Sequence, residues 1–130
     1  MKKVLVVICA IFFMACNANK NSTKKVEKEY FKKNIIGVWQ MMAIRFHDGR
    51  VMLGEYMGNP YYQFSEAGKR TKILRTVPAP PPEVIAYEIK KGSIFYPNTK
   101  FPSMKLKMIA KDTLVFSNAQ LSWHLVRSTK

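Results

Sequence analysis

Cysteine, acid and histidine are all scarce in this chain: among 130 residues there are two Cys, eight Asp plus Glu and two His, against 22 Lys plus Arg, for a formal charge of +14. Two cysteines, Cys9 and Cys16, are too few for the disulfide framework that staples small secreted domains. The apolar run Val4 to Ala15 has 12 residues, short of the roughly 20 that a membrane-spanning helix needs. The histidines, His47 and His124, lie 77 positions apart, and no ligand spacing for a metal is visible. Ser122 and His124 share a face of one strand, but no acid lies nearby in sequence to orient the imidazole, and His47 beside Asp48 reads as a turn residue. The expectation is therefore a non-enzyme with no cofactor and no metal. A hydrophobic content of 48% with 12% aromatics excludes a disordered chain, and the length allows one ordinary domain.

Residues 1–15 read as an address. Lys2 and Lys3 precede the apolar run, and Ala15-Cys16 closes it before polar Asn17-Ala18-Asn19-Lys20, the order of a cleaved secretion signal. Phe13-Met14-Ala15-Cys16 resembles the bacterial lipobox, which implies cleavage before Cys16 and a lipid on its sulfur; an ordinary signal with a chance cysteine is the alternative. Once Cys9 is removed with the signal, Cys16 is the sole cysteine left, suited to acylation and unable to form an internal disulfide. The cleaved chain has 20 basic and 8 acidic residues, +12, a balance that suits anionic lipid head groups or envelope polymers. Nucleic acid is not an expected partner of an exported chain. The absence of acid just after Cys16 favours, by analogy with lipoprotein sorting, an outer-membrane anchor facing the periplasm.

Residues 16–33 form the tether and a short helix. Positions 17–25 offer almost nothing to bury, whereas Lys24 to Lys33 places Val26, Tyr30 and Phe31 on one helical stripe, expected to pack on the domain. From residue 34 to 130 the pattern has period two, with turns every eight to twelve residues. Gly37 to Phe46 is the first strand, with Val38, Gln40, Met42, Ile44 and Phe46 on one face and Trp39, Met41, Ala43 and Arg45 on the other. Asp48-Gly49 turns the chain into Val51 to Met57. Tyr61 to Ser65 and Thr71 to Val77 follow, and Pro78 to Pro82 must be an extended loop. Val84 to Lys90, Ser93 to Tyr96, Met104 to Ala110, Leu114 to Phe116 and Gln120 to Arg127 complete the series. The expected fold is all-β, a small antiparallel up-and-down barrel of eight or nine strands with a short N-terminal helix.

Ile35-Ile36-Gly37-Val38-Trp39 resembles the Gly-x-Trp signature of lipocalins and their calycin relatives. The order that follows, through Tyr61-Tyr62-Gln63-Phe64, Tyr87-Glu88-Ile89, Asp112-Thr113-Leu114-Val115-Phe116 and Trp123-His124-Leu125-Val126-Arg127, is similar to small bacterial lipocalin-like lipoproteins. The resemblance implies a barrel base in which Gly37 and Trp39 lie under Arg127, with the short helix closing that end. It also implies an apolar or amphipathic ligand in the barrel; Met41, Tyr87, Met104, Leu106, Met108 and Trp123 are the candidate cavity residues. Thioethers line adaptable cavities and also fill irregular cores, so a filled barrel that contacts a protein or an anionic polymer is the second reading. A monomer is expected.

Overall fold

The computed structural model describes residues 29–129. The signal segment 1–15, Cys16 and the 17–25 spacer lie outside the described residues. Of the expected helix, 29–34 is described and helical, with Phe31 buried and Tyr30 52% exposed, so only one of the two aromatics packs on the domain.

Ten strands follow: β1 Gly37–Phe46, β2 Val51–Leu53, β3 Tyr61–Phe64, β4 Lys69–Ile73, β5 Glu83–Ala86, β6 Glu88–Lys90, β7 Ser93–Phe95, β8 Met104–Ala110, β9 Thr113–Ser117 and β10 Leu121–Arg127. Nine of them form one antiparallel path, β5-β4-β3-β1-β10-β9-β8-β7-β6, with β2 added to the far half of β1. The ends of the path, β5 and β6, flank Tyr87 in a single bent run, so the sheet is nearly closed by its own chain. Closure of this kind leaves few unpaired edges to manage.

Alternation decides what fills the barrel. Cross-strand partners point to the same face, and the buried set Trp39, Tyr62, Phe64, Ile94, Met104, Leu106, Leu114, Phe116 and Leu125 lies on the inner one. One expectation is corrected here. The register of β1 against β10 shifts between Met41 and Ala43, so a bulge moves Ile44 and Phe46 onto the inner face that Trp39 and Met41 already occupy. Neither face of β1 is therefore a simple odd or even series.

A second correction concerns Val51 to Met57. Only β2 is strand; Gly54–Met57 is a 3-10 turn. Gly54 packs so tightly on β1 that a Cβ would collide with the Met41 carbonyl oxygen, while Met41 N–H bonds Pro60 instead of a continuous ladder. The stretch Thr71 to Val77 is also shorter than expected, since β4 ends at Ile73.

Candidate functional site

The lower end of the barrel is a seal. Trp39 is fully buried and donates from Nε1 to the Ile35 carbonyl at 2.7 Å. Arg127, its partner across β10, stands with its guanidinium 4.3 Å from the indole centroid. The same guanidinium donates to the Ile36 carbonyl at 3.0 Å and the Asn34 carbonyl at 2.6 Å, tying the helix exit to the last strand. Gly37 sits at φ +130°, and a Cβ there would be 2.7 Å from Arg127 Nη1. Conformation alone calls for glycine here, and a Cβ would also push the Arg127 guanidinium from its place.

Above the seal, five of the six candidate cavity residues share the inner wall by register: Met41, Met104, Leu106, Met108 and Trp123. Tyr87, at the bend between β5 and β6, belongs to the same apolar cluster. Its ring lies edge-on to Phe64 at 5.2 Å and its hydroxyl donates to the Ser65 carbonyl at 2.8 Å. Met41, Tyr87, Met104 and Leu106 are buried as packed core, whereas Met108 and Trp123 are only half-buried.

Solvent reaches the inner face toward the other end. Ile44, Phe46, Leu121 and Trp123 point inward by register yet are half-buried, and Met52, paired with Ile44, is 42% exposed. An open groove of about 360 Å³ is lined there by Phe46, Asp48, Arg50, Gln120 and Leu121. Asp48 accepts from the Arg50 side chain at 2.8 Å and from its backbone N–H at 3.1 Å, and these hydrogen bonds hold its carboxyl below the usual carboxylate range.

One inward residue escaped sequence reasoning. Arg70 on β4 is 3% exposed and opposes Phe64 on one side and Ile85 on the other. Its guanidinium lies 4.7 Å from the Tyr96 ring, 5.1 Å from Tyr62 and 5.7 Å from Phe101. Nη2 meets one oxygen of Glu83 at 3.2 Å, and Nε, fully buried, has no partner. Burial pushes the Tyr62 phenol up to about 12 and raises Tyr96, with the Arg70 charge opposing in both cases, so both hydroxyls keep their protons at neutral pH. The sequence reading opens this strand only at Thr71 and so leaves Arg70 outside it, whereas β4 begins at Lys69. The signal that locates Arg70 is the hairpin: Glu66-Ala67-Gly68 between two short strands sets Phe64 opposite Arg70.

On the outer wall Ser122 Oγ and His124 Nε2 are 3.0 Å apart. Burial, with the Arg45 charge second, lowers the histidine pKa. A cation beside an imidazole acts oppositely to the carboxylate that orients a catalytic one. Among the described residues no His, Cys, Asp and Glu cluster of three or more has metal-holding geometry.

No protein-family model and no curated protein sequence matches the chain. Three solved structures share its backbone. A lipocalin-like protein from Bacteroides uniformis aligns at TM-score 0.59 and 16% identity, over 73% of this chain and 99% of that one. An uncharacterized protein from Bacteroides eggerthii aligns at 0.57 and 11%, over 72% and 98%. A protein from Burkholderia xenovorans aligns at 0.55 and 10%, over 78% and 88%. At these identities the likeness is one of fold, and it bears out the lipocalin-like barrel expected from the Gly-x-Trp strand and the strand series.

Proposed function

We propose, from the premise of a lipocalin-like barrel, that this chain is a lipid-anchored envelope protein that holds a small apolar or amphipathic molecule inside the barrel. The observation that carries the ligand reading is the solvent-reached inner face: Ile44, Phe46, Leu121 and Trp123 are apolar, point inward and are only half-buried. Inward apolar surface left open to water is what a small-molecule site offers, and a groove of about 360 Å³ beside it is within the range of such sites. Fold alone does not assign function; the argument rests on these side chains. The anchor reading rests on the short apolar run and the Ala15-Cys16 step. The full reading is of a monomer at the outer membrane facing the periplasm, without catalytic activity or nucleic-acid partner.

Native mass spectrometry of protein purified from its own cells is expected to show a repeated small-molecule adduct. Repeated preparations without an adduct, together with no binding of neutral hydrophobic dyes, overturn the ligand reading. A Cys16→Ser variant is expected to leave the membrane fraction and lose acylation; a variant still acylated and membrane-bound overturns the anchor.

The filled-barrel alternative has its own observation. Trp39, Phe64, Phe116, Ile94, Leu114 and Leu125 are each under 2% exposed, so packed core reaches from the base to Phe116, the cross-strand partner of Trp123, while Met42, Val51, Leu53 and Tyr56 are exposed near β2. A dry, ligand-free preparation moves the search to that outer surface.

A further inference from the structure

We propose that the outer wall of the barrel carries a binding site for an acidic sugar, a uronate unit of an anionic oligosaccharide, in the open cavity beside β7, β8 and the turn from β9 to β10. The site is separate from the barrel interior and does not rest on the ligand reading above. The cavity has a volume of about 500 Å³ and is lined by Ser93, Ser103, Lys105, Ser117, Asn118 and Ala119. Register explains the lining. Ile94, Met104 and Phe116 are buried inside the barrel, so Ser93, Lys105 and Ser117, cross-strand partners in one row, point outward. The three serine hydroxyls and the Lys105 ammonium have no hydrogen-bond or ion-pair partner among the described residues. The Asn118 amide is oriented: Oδ1 accepts from the backbone N–H groups of Gln120 and Leu121 at 2.8 and 3.1 Å, so the Nδ2 group is left to donate elsewhere.

These groups set the chemistry of the occupant. One ammonium, a compact point charge, with neutral donors around it matches a single negative charge; a doubly charged phosphate would leave one charge unmatched. Strands β1 and β7 to β10 carry no Asp or Glu that would repel it. Serine hydroxyls both donate and accept, as the hydroxyls of a sugar ring require. Phe95, two residues past Ser93 on the same face of β7, is 48% exposed, with the Lys90–Glu88 ion pair beside it. An exposed ring next to a hydroxyl-lined recess offers an apolar plane to the C–H face of a sugar. The cavity lining holds no large apolar side chain, which argues against a lipid surface as the occupant.

The experiment is isothermal titration calorimetry of the purified full-length protein with trigalacturonate and with its uncharged methyl ester, in wild type, Lys105→Gln, Phe95→Ala and Lys111→Gln. Lys111 is exposed in the turn after β8, so its variant removes the same charge away from the cavity. Wild type is expected to bind the acid about tenfold tighter than the ester, from one added charge-assisted contact. Lys105→Gln is expected to weaken the acid about fivefold and to leave the ester within about twofold. Phe95→Ala is expected to weaken acid and ester alike by about threefold, and Lys111→Gln to leave both within about twofold. Equal losses of acid binding in Lys105→Gln and Lys111→Gln overturn the site in favour of general charge attraction, and sugar binding untouched by Phe95→Ala overturns the stacked pose. Failure of wild type to bind either sugar, with or without binding to phosphatidylglycerol vesicles, overturns the proposal, and vesicle binding then assigns this wall to a membrane surface.

Discussion

Two arginines stacked on aromatic rings, at opposite kinds of site, divide the barrel into a finished half and an unfinished one. Arg127 covers Trp39 and spends its donors on the Ile36 and Asn34 carbonyls. Arg70 is more deeply buried, with three rings around it, yet its Nε has no acceptor and its one ion pair is through a half-exposed glutamate. The backbone carbonyls that serve Arg127 are fixed by the chain, whereas the partner of Arg70 is a mobile type of side chain. Satisfied donors at the base act as a clasp between helix and last strand. Unsatisfied donors in the interior are a cost to the fold, and Arg70 is the handle by which a substitution can relieve it.

The largest effect is expected at the clasp. Trp39→Ala removes a fully buried indole that both the core and Arg127 pack on, and urea unfolding is expected to lose about 3 to 5 kcal/mol. A loss below about 1 kcal/mol would mean that the base is not the structural end of the barrel. The comparison itself is tested next by one substitution made twice. Arg127→Met deprives two carbonyls of charged donors and is expected to cost about 2 to 3 kcal/mol. Arg70→Met replaces a half-paired buried ion by an apolar side chain of similar length, and is expected to stay within about 1 kcal/mol of wild type or to exceed it. Equal losses at the two positions would break the distinction between clasp and handle.

The clasp was legible in the sequence and the handle was not, for a physical reason. Gly37, Trp39 and Arg127 are named by the resemblance of Ile35-Ile36-Gly37-Val38-Trp39 to the Gly-x-Trp strand of lipocalins, which implies an arginine of the last strand over that tryptophan. The flanking turn residues likewise mark the observed bounds of Gly37–Phe46 and Met104–Ala110. The failures came where tertiary packing overrode period two. The bulge after Met41 switched the face of β1, and the close approach of Gly54 to the Met41 carbonyl broke the second strand into β2 and a turn. Arg70 was hidden among Lys69, Thr71 and Lys72 because an inward charge has no composition of its own; only the hairpin register turns it to the core. The solvent-reached wall depends on the same bulge, because strict period two puts Ile44 and Phe46 on the face opposite Trp39.

Titration sharpens the picture at smaller scale. The Tyr62 phenol, pushed up to about 12 by burial, titrates near 10 when unfolded. The folded pKa is raised, so the neutral phenol stabilises the fold fully below pH 10, and this contribution is lost as pH rises from about 10 to about 12. Across that window wild type is expected to lose about 2 kcal/mol more than Tyr62→Phe. Parallel curves would place Tyr62 in contact with water rather than in the dry cage around Arg70.

His124 provides the control on the outer wall, where the neighbouring cation is exposed Arg45 rather than a caged one. Burial first and Arg45 second lower its pKa from 6.5, so the unfolded chain binds the proton more readily than the folded one. Stability from this group is therefore present above the unfolded value and declines as pH falls through the window just beneath it. Wild type is expected to lose slightly more stability than His124→Asn between neutral pH and the lower edge of that window, the smallest effect of the set, and salt is expected to shrink it only in part because desolvation leads. If the difference vanishes in high salt, the Arg45 charge and not burial governs His124, and the outer wall then differs from the Arg70 cage in the mechanism by which a cation acts and not only in its strength.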